Sequence, residues 1–349
     1  MTDLTPAEVY GPEVIDNVKA RLADGPVLLI GRVRSGADDV ARHVGGEHGV
    51  VIDGAAAFDY RALVTTALRA VAGRLAHPLV PDQLSGGGAT ASRSLRALAE
   101  GFGERLPEAM AAIDGGSADG WSLEGVLRAL PRGTVIGLLA AHEIPAEPAL
   151  WELRALASDG QKILLTSTPA HVNALTGPDS AWFGFVHRTQ LPVVAPRRWA
   201  QVLDDHYRPL HPSDLEWLLE RARGRPATVL CALGFTEGGH SPRTAWRRAA
   251  RAAGPRAHDV LRLAAAVHPY APGLLLAISA GEPPYAAISG SSSQRVARAL
   301  ARLRDLDLVE QPRPRTWQIA DPLLDAALDR LRRQTQRPWA DPDGAQGIN

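Results

Sequence analysis

The sequence predicts an α/β protein: a parallel sheet covered by helices, followed by a helical segment and a small C-terminal domain. Short apolar runs alternate with amphipathic helical stretches up to about Pro192, and strand-like runs then stop until the C-terminal region. Buried strands that alternate with helices are typical of parallel sheets, because each right-handed crossover places a helix over the sheet.

Four apolar runs, 26–31, 49–53, 134–141 and 162–167, are predicted as strands of this sheet. They lie in a first domain of residues 1–190. Three helical stretches follow in residues 191–240, which we interpret as a small helical lid, and residues 241–256 form a linker or connecting helix.

The last domain is predicted over residues 257–333. It reads as two helices, a short helix from Tyr285 to Ser289, a long helix from Ser292 to Leu306, a hairpin and a final helix, which is the order of a winged helix. The tail, residues 334–349, is rich in Pro, Gly and Asp and is predicted to be disordered.

Charge is distributed unevenly along a chain of 349 residues in which Lys+Arg and Asp+Glu are balanced at 38 each. Residues 241–337 contain 16 Arg and 8 acidic residues, a net charge of 16 − 8 = +8, which leaves −8 for the remainder. Arginine supplies nearly all of the positive charge, which together with abundant Ala, Gly and Pro suggests a high-GC bacterial genome. The basic C-terminal region favours an anionic partner.

Other bulk features exclude several classes of protein. The single Cys231 excludes an intramolecular disulfide and a thiolate metal cage. The first residues carry no export signal, and no apolar run is long enough for a membrane span. We therefore expect a cytoplasmic protein without a membrane partner.

A glycine loop with the spacing of a phosphate loop follows the first strand. A working loop reads G-x-x-x-x-G-K-[ST]; its backbone N–H groups hold phosphates, its lysine reaches the outer phosphates and its hydroxyl holds Mg²⁺. Here the segment is Gly31, Arg32, Val33, Arg34, Ser35, Gly36, Ala37 and Asp38. Ala37 replaces the lysine and Asp38 the hydroxyl, and Asp39 adds a second negative charge. Two carboxylates suit a helix N-terminus but would repel a triphosphate held there.

The acidic pair that should close a neighbouring strand, hold the metal and polarise the attacking water is also missing. The four positions at which this pair is expected, here called the acidic-motif slot, contain Ala140, Ala141, His142 and Glu143. Glu143 would serve only if the strand were shifted by two residues. Ser167 and Thr168, after the next strand, are predicted as sensor-like polar residues. We predict no catalytic residue, no metal site and no cofactor, and ATP with Mg²⁺ is the open alternative.

In the order of these elements the sequence resembles the AAA+ and STAND P-loop ATPases, particularly the archaeal-type ATPase family and, more distantly, the origin-recognition initiators. The resemblance covers about residues 10 to 333 and rests on the order of strands, loop, lid and winged helix, since no single motif is specific. Such families use ATP to switch conformation or to load onto DNA. Because this sequence departs from them at both chemical motifs, the resemblance implies a pseudo-ATPase scaffold with a regulatory or replication-type role.

The long helix of the predicted winged helix has two distinct faces. Val296, Leu300 and Leu303 form a core-facing stripe, and the opposite side carries Arg295, Arg298 and Arg302. In a winged helix this element enters the major groove, where arginine binds guanine edges or phosphates. Gln294 is predicted to read a base, and Arg313 and Arg315 at the hairpin tip to contact the DNA backbone. Double-stranded DNA is therefore the predicted partner.

Two alternatives of other classes stay open. In the first, the chain is a nucleotide-dependent switch or ATPase with divergent motifs, active in a homo-oligomer in which a neighbour supplies Arg32 or Arg34. In the second, it is an adaptor whose winged helix docks a protein partner. Nucleotide binding tests the first alternative, and salt-dependent DNA binding tests the second.

Overall fold

The computed structural model describes residues 4–57, 59–76, 96, 98–115, 118, 120–144, 147–207, 209–236, 239–287 and 292–335. The chain divides after Val193 into two compact units. The first unit contains a parallel sheet, and the second contains helices and one hairpin. Within these residues, no helix is both long and apolar enough to cross a lipid bilayer.

A five-stranded sheet forms the centre of the first unit. Its strands are β1 (Val27–Ile30), β2 (Gly49–Asp53), β3 (Val135–Leu139), β4 (Lys162–Ser167) and β5 (His187–Gln190). Their order across the sheet is β2-β3-β4-β1-β5, and every neighbouring pair is parallel. β4 therefore lies between β1, which leads into the glycine loop, and β3, which leads into the acidic-motif slot. The predicted parallel α/β fold is confirmed.

Helices pack against this sheet and enclose its apolar strands. The described helices are α1 (Pro6–Tyr10), α2 (Pro12–Asp24), α3 (Ala37–His48), α4 (Tyr60–Ala76), α5 (Leu106–Gly115), α6 (Leu123–Leu127), α7 (Glu147–Ser158) and α8 (Val172–Thr176). α3 contacts β2, β3 and β4, and α4 contacts β2. The core includes Ile52, Ile136, Leu165 and the fully buried Trp182. Burial of such side chains, at about 25 cal/mol per Å² of apolar surface, is the main source of stability.

The sequence did not predict β5. This strand pairs with β1 in parallel register, with Val27 opposite His187. Of its four residues only Thr189 is buried, and the other three are exposed. An edge strand of this kind has no apolar run from which it can be predicted.

The second unit begins with four helices, each with proline in its first turn. They are α9 (Pro196–His206), α10 (Pro212–Arg221), α11 (Pro226–Gly234) and α12 (Pro242–Ala252). Proline suits this position because its fixed φ is helical and its missing N–H would have no partner in the helix. α12 falls in the predicted linker or connecting helix, and it packs through buried Ala245, Trp246 and Ala249.

A winged-helix arrangement follows, in which residues 285–287 form a turn and a bend and not the predicted short helix; residues 288 and 289 lie outside the described residues. Its elements are α13 (Gly254–Val267), α14 (Ala271–Ser279), α15 (Ser293–Asp305), the antiparallel strands β6 (Val309–Arg313) and β7 (Thr316–Ile319), and α16 (Pro322–Thr335). The predicted stripe on α15 is buried and packs with Leu274 and Leu328. α16 extends two residues into the predicted tail; residues 336–349, for which disorder is predicted, lie outside the described residues.

Two arginine–carboxylate pairs join the link between α10 and α11 to the winged helix. Arg225 is buried and pairs with Glu310 of β6, which also accepts a hydrogen bond from Gln318 Nε2. Arg223 pairs with Asp325 of α16. Burial raises the pKa of the Asp325 carboxyl to about 6, and the Arg223 guanidinium opposes that rise. These contacts bind the helical segment to the hairpin and to the last helix.

Candidate functional site: the phosphate loop and the arginine face

The glycine loop occupies residues 31–36 between β1 and α3. Its Gly31 N–H donates to the Ser167 carbonyl at 3.0 Å, and its Ser35 N–H donates to the Arg32 carbonyl at 2.8 Å. Gly36 precedes α3 with φ +84°, a left-handed conformation that glycine adopts without steric cost. α3 begins at Ala37, which thus stands where the lysine of a working loop would be.

Ser35 of the loop and Ala37 at the start of α3 fill the space against Gly31. A Cβ on Gly31 would lie 2.1 Å from Ser35 Oγ and 2.7 Å from Ala37 Cβ. The Ser35 hydroxyl is buried and makes no hydrogen bond to any residue that the structure describes. The loop backbone therefore packs closely on Ser35 and Ala37.

A buried hydroxyl ties Asp38 to the sheet. Thr166 Oγ1 donates to Asp38 Oδ1 at 2.5 Å and accepts from the Ala140 N–H at 2.9 Å. Thr166 is buried in β4, between β1 and β3. The hydroxyl thus uses its donor and an acceptor position to join the first turn of α3 to the end of β3. In a working site Mg²⁺ links the corresponding positions.

Two carboxylates stand in the first turn of α3. Asp38 and Asp39 are neighbours there, at the positive end of the helix. Burial raises the pKa of Asp39, the charge of Asp38 raises it further, and Arg42 lowers it. Negative charge is therefore concentrated at the point where a phosphate loop requires positive charge.

Tyr10, which the sequence analysis did not single out, lies against this loop from the end of α1. Its hydroxyl oxygen is 3.2 Å from the position that a Cβ on Gly36 would take. Burial raises the pKa of the Tyr10 phenol, and the negative charge of Asp39 adds to the rise. A neutral aromatic side chain thus packs on the second glycine of the loop.

The acidic-motif slot begins where β3 ends, at Leu139. Ala140 adopts a left-handed conformation with φ 47° and ψ 49°, and Ala141–Glu143 form a short 3-10 turn. A left-handed non-glycine residue costs about 1–2 kcal/mol. Glu143 is 51% exposed and lies beyond this turn, so the interpretation in which Glu143 closes the strand is wrong.

The two predicted sensor-like residues have different surroundings. Ser167 closes β4, and its Oγ lies 3.2 Å from Nδ1 of the half-buried His142, whose ring stacks on that of His171 with centroids 4.3 Å apart. Thr168 follows the strand and is half-buried. Successive strand residues face opposite sides of a sheet, and it is Thr166, the residue before Ser167, that contacts Asp38.

The two loop arginines differ in exposure. Arg32 is exposed, and none of the described residues forms an ion pair with it. Arg34 is half-buried and has φ 60°. Of the two residues proposed for action on a neighbouring subunit, Arg32 is therefore the more accessible.

Thr166→Val is expected to lower the free energy of unfolding by about 1–3 kcal/mol, because the Ala140 N–H and Asp38 lose their shared partner. The matched control is Thr66→Val, whose hydroxyl donates only to the Ala62 carbonyl of its own helix, and it should change stability by less than about 0.5 kcal/mol. Urea denaturation followed by circular dichroism measures both. Equal losses in the two variants would show that the Thr166 bridge contributes nothing.

The arginine face of α15 comprises Arg295, Arg298 and Arg302. All three are exposed on the side opposite the buried stripe, and none has an ion-pair partner within the described part of the second unit. Gln294 is exposed in the first turn, which the Ser292 side chain caps. The hairpin residues Arg313 and Arg315 are exposed too, and Arg315 has φ 64° in the turn. The predicted DNA-binding residues are thus solvent-accessible.

No protein-family model matches the chain, and no curated protein matches its sequence. Among solved structures it is similar to the Walker-type ATPase of Pyrococcus abyssi, at a TM-score of 0.68 and 16% identity over 93% of this chain and 97% of that one. A weaker likeness is to the Aeropyrum pernix ORC1 protein, solved in complex with DNA, with TM-score 0.49, 14% identity and coverages of 95% and 94%. The chain therefore has the fold of the P-loop ATPases.

Proposed function

We propose that this protein is a pseudo-ATPase: a P-loop ATPase fold that serves as a scaffold for a DNA-binding winged helix. The observation that carries the proposal is the arginine face of α15, with Arg295, Arg298 and Arg302 exposed and without carboxylate partners among the described residues. Other arginines of the second unit, such as Arg223 and Arg225, pair with carboxylates, whereas these three face solvent. A regulatory or replication-type role fits such a protein.

Three features support the loss of hydrolysis. Ala37 supplies no charge to the outer phosphates, and Asp38 offers a carboxylate, already hydrogen-bonded to Thr166, in place of a metal-binding hydroxyl. Ala140 and Ala141 supply neither a metal ligand nor a group that polarises water. Charge neutralisation and metal binding are each worth several kcal/mol in phosphoryl transfer, so their joint absence removes the reaction.

Duplex DNA is favoured as the partner because of the shape and charge of the second unit. α15 is a 13-residue helix with its apolar side buried and its arginines outward, the arrangement that places guanidinium groups against guanine edges or phosphates in a major groove. Arg313 and Arg315 extend the positive charge along the hairpin. Residues 241–337 as a whole carry a net charge of about +8, the sum of 16 Arg and 8 acidic residues.

The salt dependence of DNA binding tests this function. We expect the full chain to bind a duplex with log K falling against log salt at a slope of about −3 or steeper, since each neutralised phosphate contributes about −0.9. Fluorescence anisotropy of a labelled random-sequence duplex, measured between low and physiological salt, gives the slope. A flat profile or absent binding would favour the adaptor, in which the same face docks a protein.

The cytoplasmic location stays a prediction from the sequence.

A further inference from the structure

The second unit contains a cleft that shares no lining residue with the arginine face of α15. It is bounded by the end of α10, one side of α12 and one side of α16, and it has a volume of about 770 Å³. Sites for small organic ligands are concave and span roughly 300–1,000 Å³. The cleft is therefore of the right size for such a ligand.

Arginine dominates the walls of this cleft. The charged lining residues are Arg221, Arg223, Arg247, Arg251, Arg330 and Arg333 on the positive side and Glu220, Asp325 and Asp329 on the negative side. Asp325 is neutralised by Arg223, and Asp329 pairs with Arg333 at 2.7 Å and with Arg332 at 3.2 Å. Two of the three carboxylates in the lining are thus already paired.

Four guanidinium groups of the lining have no carboxylate partner among the described residues, and one of them, Arg221, lies over the ring of Trp217. The other three are on two helices. Arg247 and Arg251 lie four residues apart on α12, and Arg330 lies on α16. All three are exposed, and the described residues provide no ion-pair partner for any of them. Guanidinium groups bind phosphate oxygens with paired, charge-assisted hydrogen bonds.

An apolar surface completes the lining. Trp246, Ala250, Pro322 and Ala326 line the cleft beside the arginines. Trp246 is largely buried and packs edge-on against Trp217, with ring centroids 6.4 Å apart, so its position is fixed. Apolar walls with a few convergent charged groups are typical of sites that bind an organic ligand by its body and orient it by its charge.

We propose that this cleft binds an organic phosphate of nucleotide size. Arg247, Arg251 and Arg330 bind its phosphate groups, and the apolar surface around Trp246 contacts its organic part. A duplex is read by protruding elements that enter its grooves, whereas this surface is concave. Glu220, which has no ion-pair partner in the described part of the unit, is available to accept a hydrogen bond from a ligand hydroxyl or amino group. The site does not depend on DNA binding by α15.

Isothermal titration of the full chain with inorganic pyrophosphate, and with ATP in the absence of Mg²⁺, tests the proposal. We expect saturable binding of both probes, with ATP the tighter because of its organic part. Arg247→Ala/Arg251→Ala, and separately Arg330→Ala on the opposite wall, should each weaken binding at least about tenfold, since one charge-assisted hydrogen bond carries about that much.

The matched control is Arg248→Ala on the same helix. Arg248 is exposed and does not line the cleft, so its removal takes away the same single charge as Arg330→Ala and should leave both affinities unchanged. Melting curves without ligand identify any variant that fails to fold. If one of the two cleft variants fails to fold, the affinities of the other cleft variant decide whether the proposal holds. Equal weakening by Arg248→Ala, unchanged affinity in both cleft variants, or no binding to the unaltered chain would each overturn the proposal.

Binding of a labelled DNA duplex shows whether the cleft arginines contact DNA instead of a small ligand. We expect Arg247→Ala/Arg251→Ala to bind it as the unaltered chain does. If duplex affinity falls while pyrophosphate and ATP do not bind, the arginines contact DNA and the small-ligand site is refuted.

Discussion

Replacing Arg295, Arg298 and Arg302 together by alanine is expected to lower affinity for duplex DNA at least about 100-fold. Each such contact is worth about 1–3 kcal/mol, and each phosphate contact that is lost reduces the salt slope by about 1. The three side chains lie on the exposed side of α15 and take no part in its buried stripe. The variant should therefore keep its fold while it loses binding, measured by anisotropy at several salt concentrations.

The matched control removes the same charge elsewhere. Arg69, Arg132 and Arg197 are exposed, lie outside the winged helix and have no ion-pair partner among the residues described. Their triple alanine variant should retain most of the affinity, since only long-range charge is lost. If both triple variants weaken binding equally, α15 is not the DNA-binding element.

Arg225→Ala is expected to destabilise the second unit by about 3 kcal/mol, the lower end of the cost of breaking a buried ion pair, because Arg225 is buried and Glu310 is half-buried. Arg225 is 2% exposed, and its partner Glu310 would be left as a charge with only the Gln318 amide to bind it. Urea denaturation followed by circular dichroism measures the loss.

A second substitution separates the lost charge partner from lost packing. In Arg225→Ala/Glu310→Gln the carboxylate is replaced by an amide that still accepts from Gln318, so part of the stability should return. A loss below about 1 kcal/mol for Arg225→Ala, or no recovery in the double variant, would contradict a structural role for this pair.

Strands β1 to β4 were predictable because each is an apolar run buried in the sheet. β5 was not, since an edge strand with one buried residue has no such signal. The winged helix was predictable from the stripe on α15, which repeats at the spacing of one helix face. The Arg225–Glu310 pair spans 85 positions of sequence, and no local pattern relates two such residues.

The candidate site, too, could be predicted only in part from the sequence. The replacement of lysine and hydroxyl by Ala37 and Asp38 is visible in the sequence, because the loop has a fixed spacing. The partner of Asp38 is not visible, since Thr166 reaches it only through the order of strands in the sheet. Tyr10 likewise meets Gly36 through packing of α1. The cleft arginines Arg247 and Arg251 fall in a stretch that the sequence predicts as a linker or connecting helix.

Phosphate release from ATP in the presence of Mg²⁺ tests the proposed loss of hydrolysis most directly. It is measured on the unaltered chain with and without duplex DNA, and also on Arg247→Ala/Arg251→Ala, so that binding at the cleft is not mistaken for binding at the loop. With Ala37 at the start of α3, Asp38 held by Thr166 and no carboxylate at Ala140 or Ala141, we expect no release above the rate in buffer. Sustained release with micromolar ATP affinity, unchanged in the cleft variant, would contradict the assignment as a pseudo-ATPase.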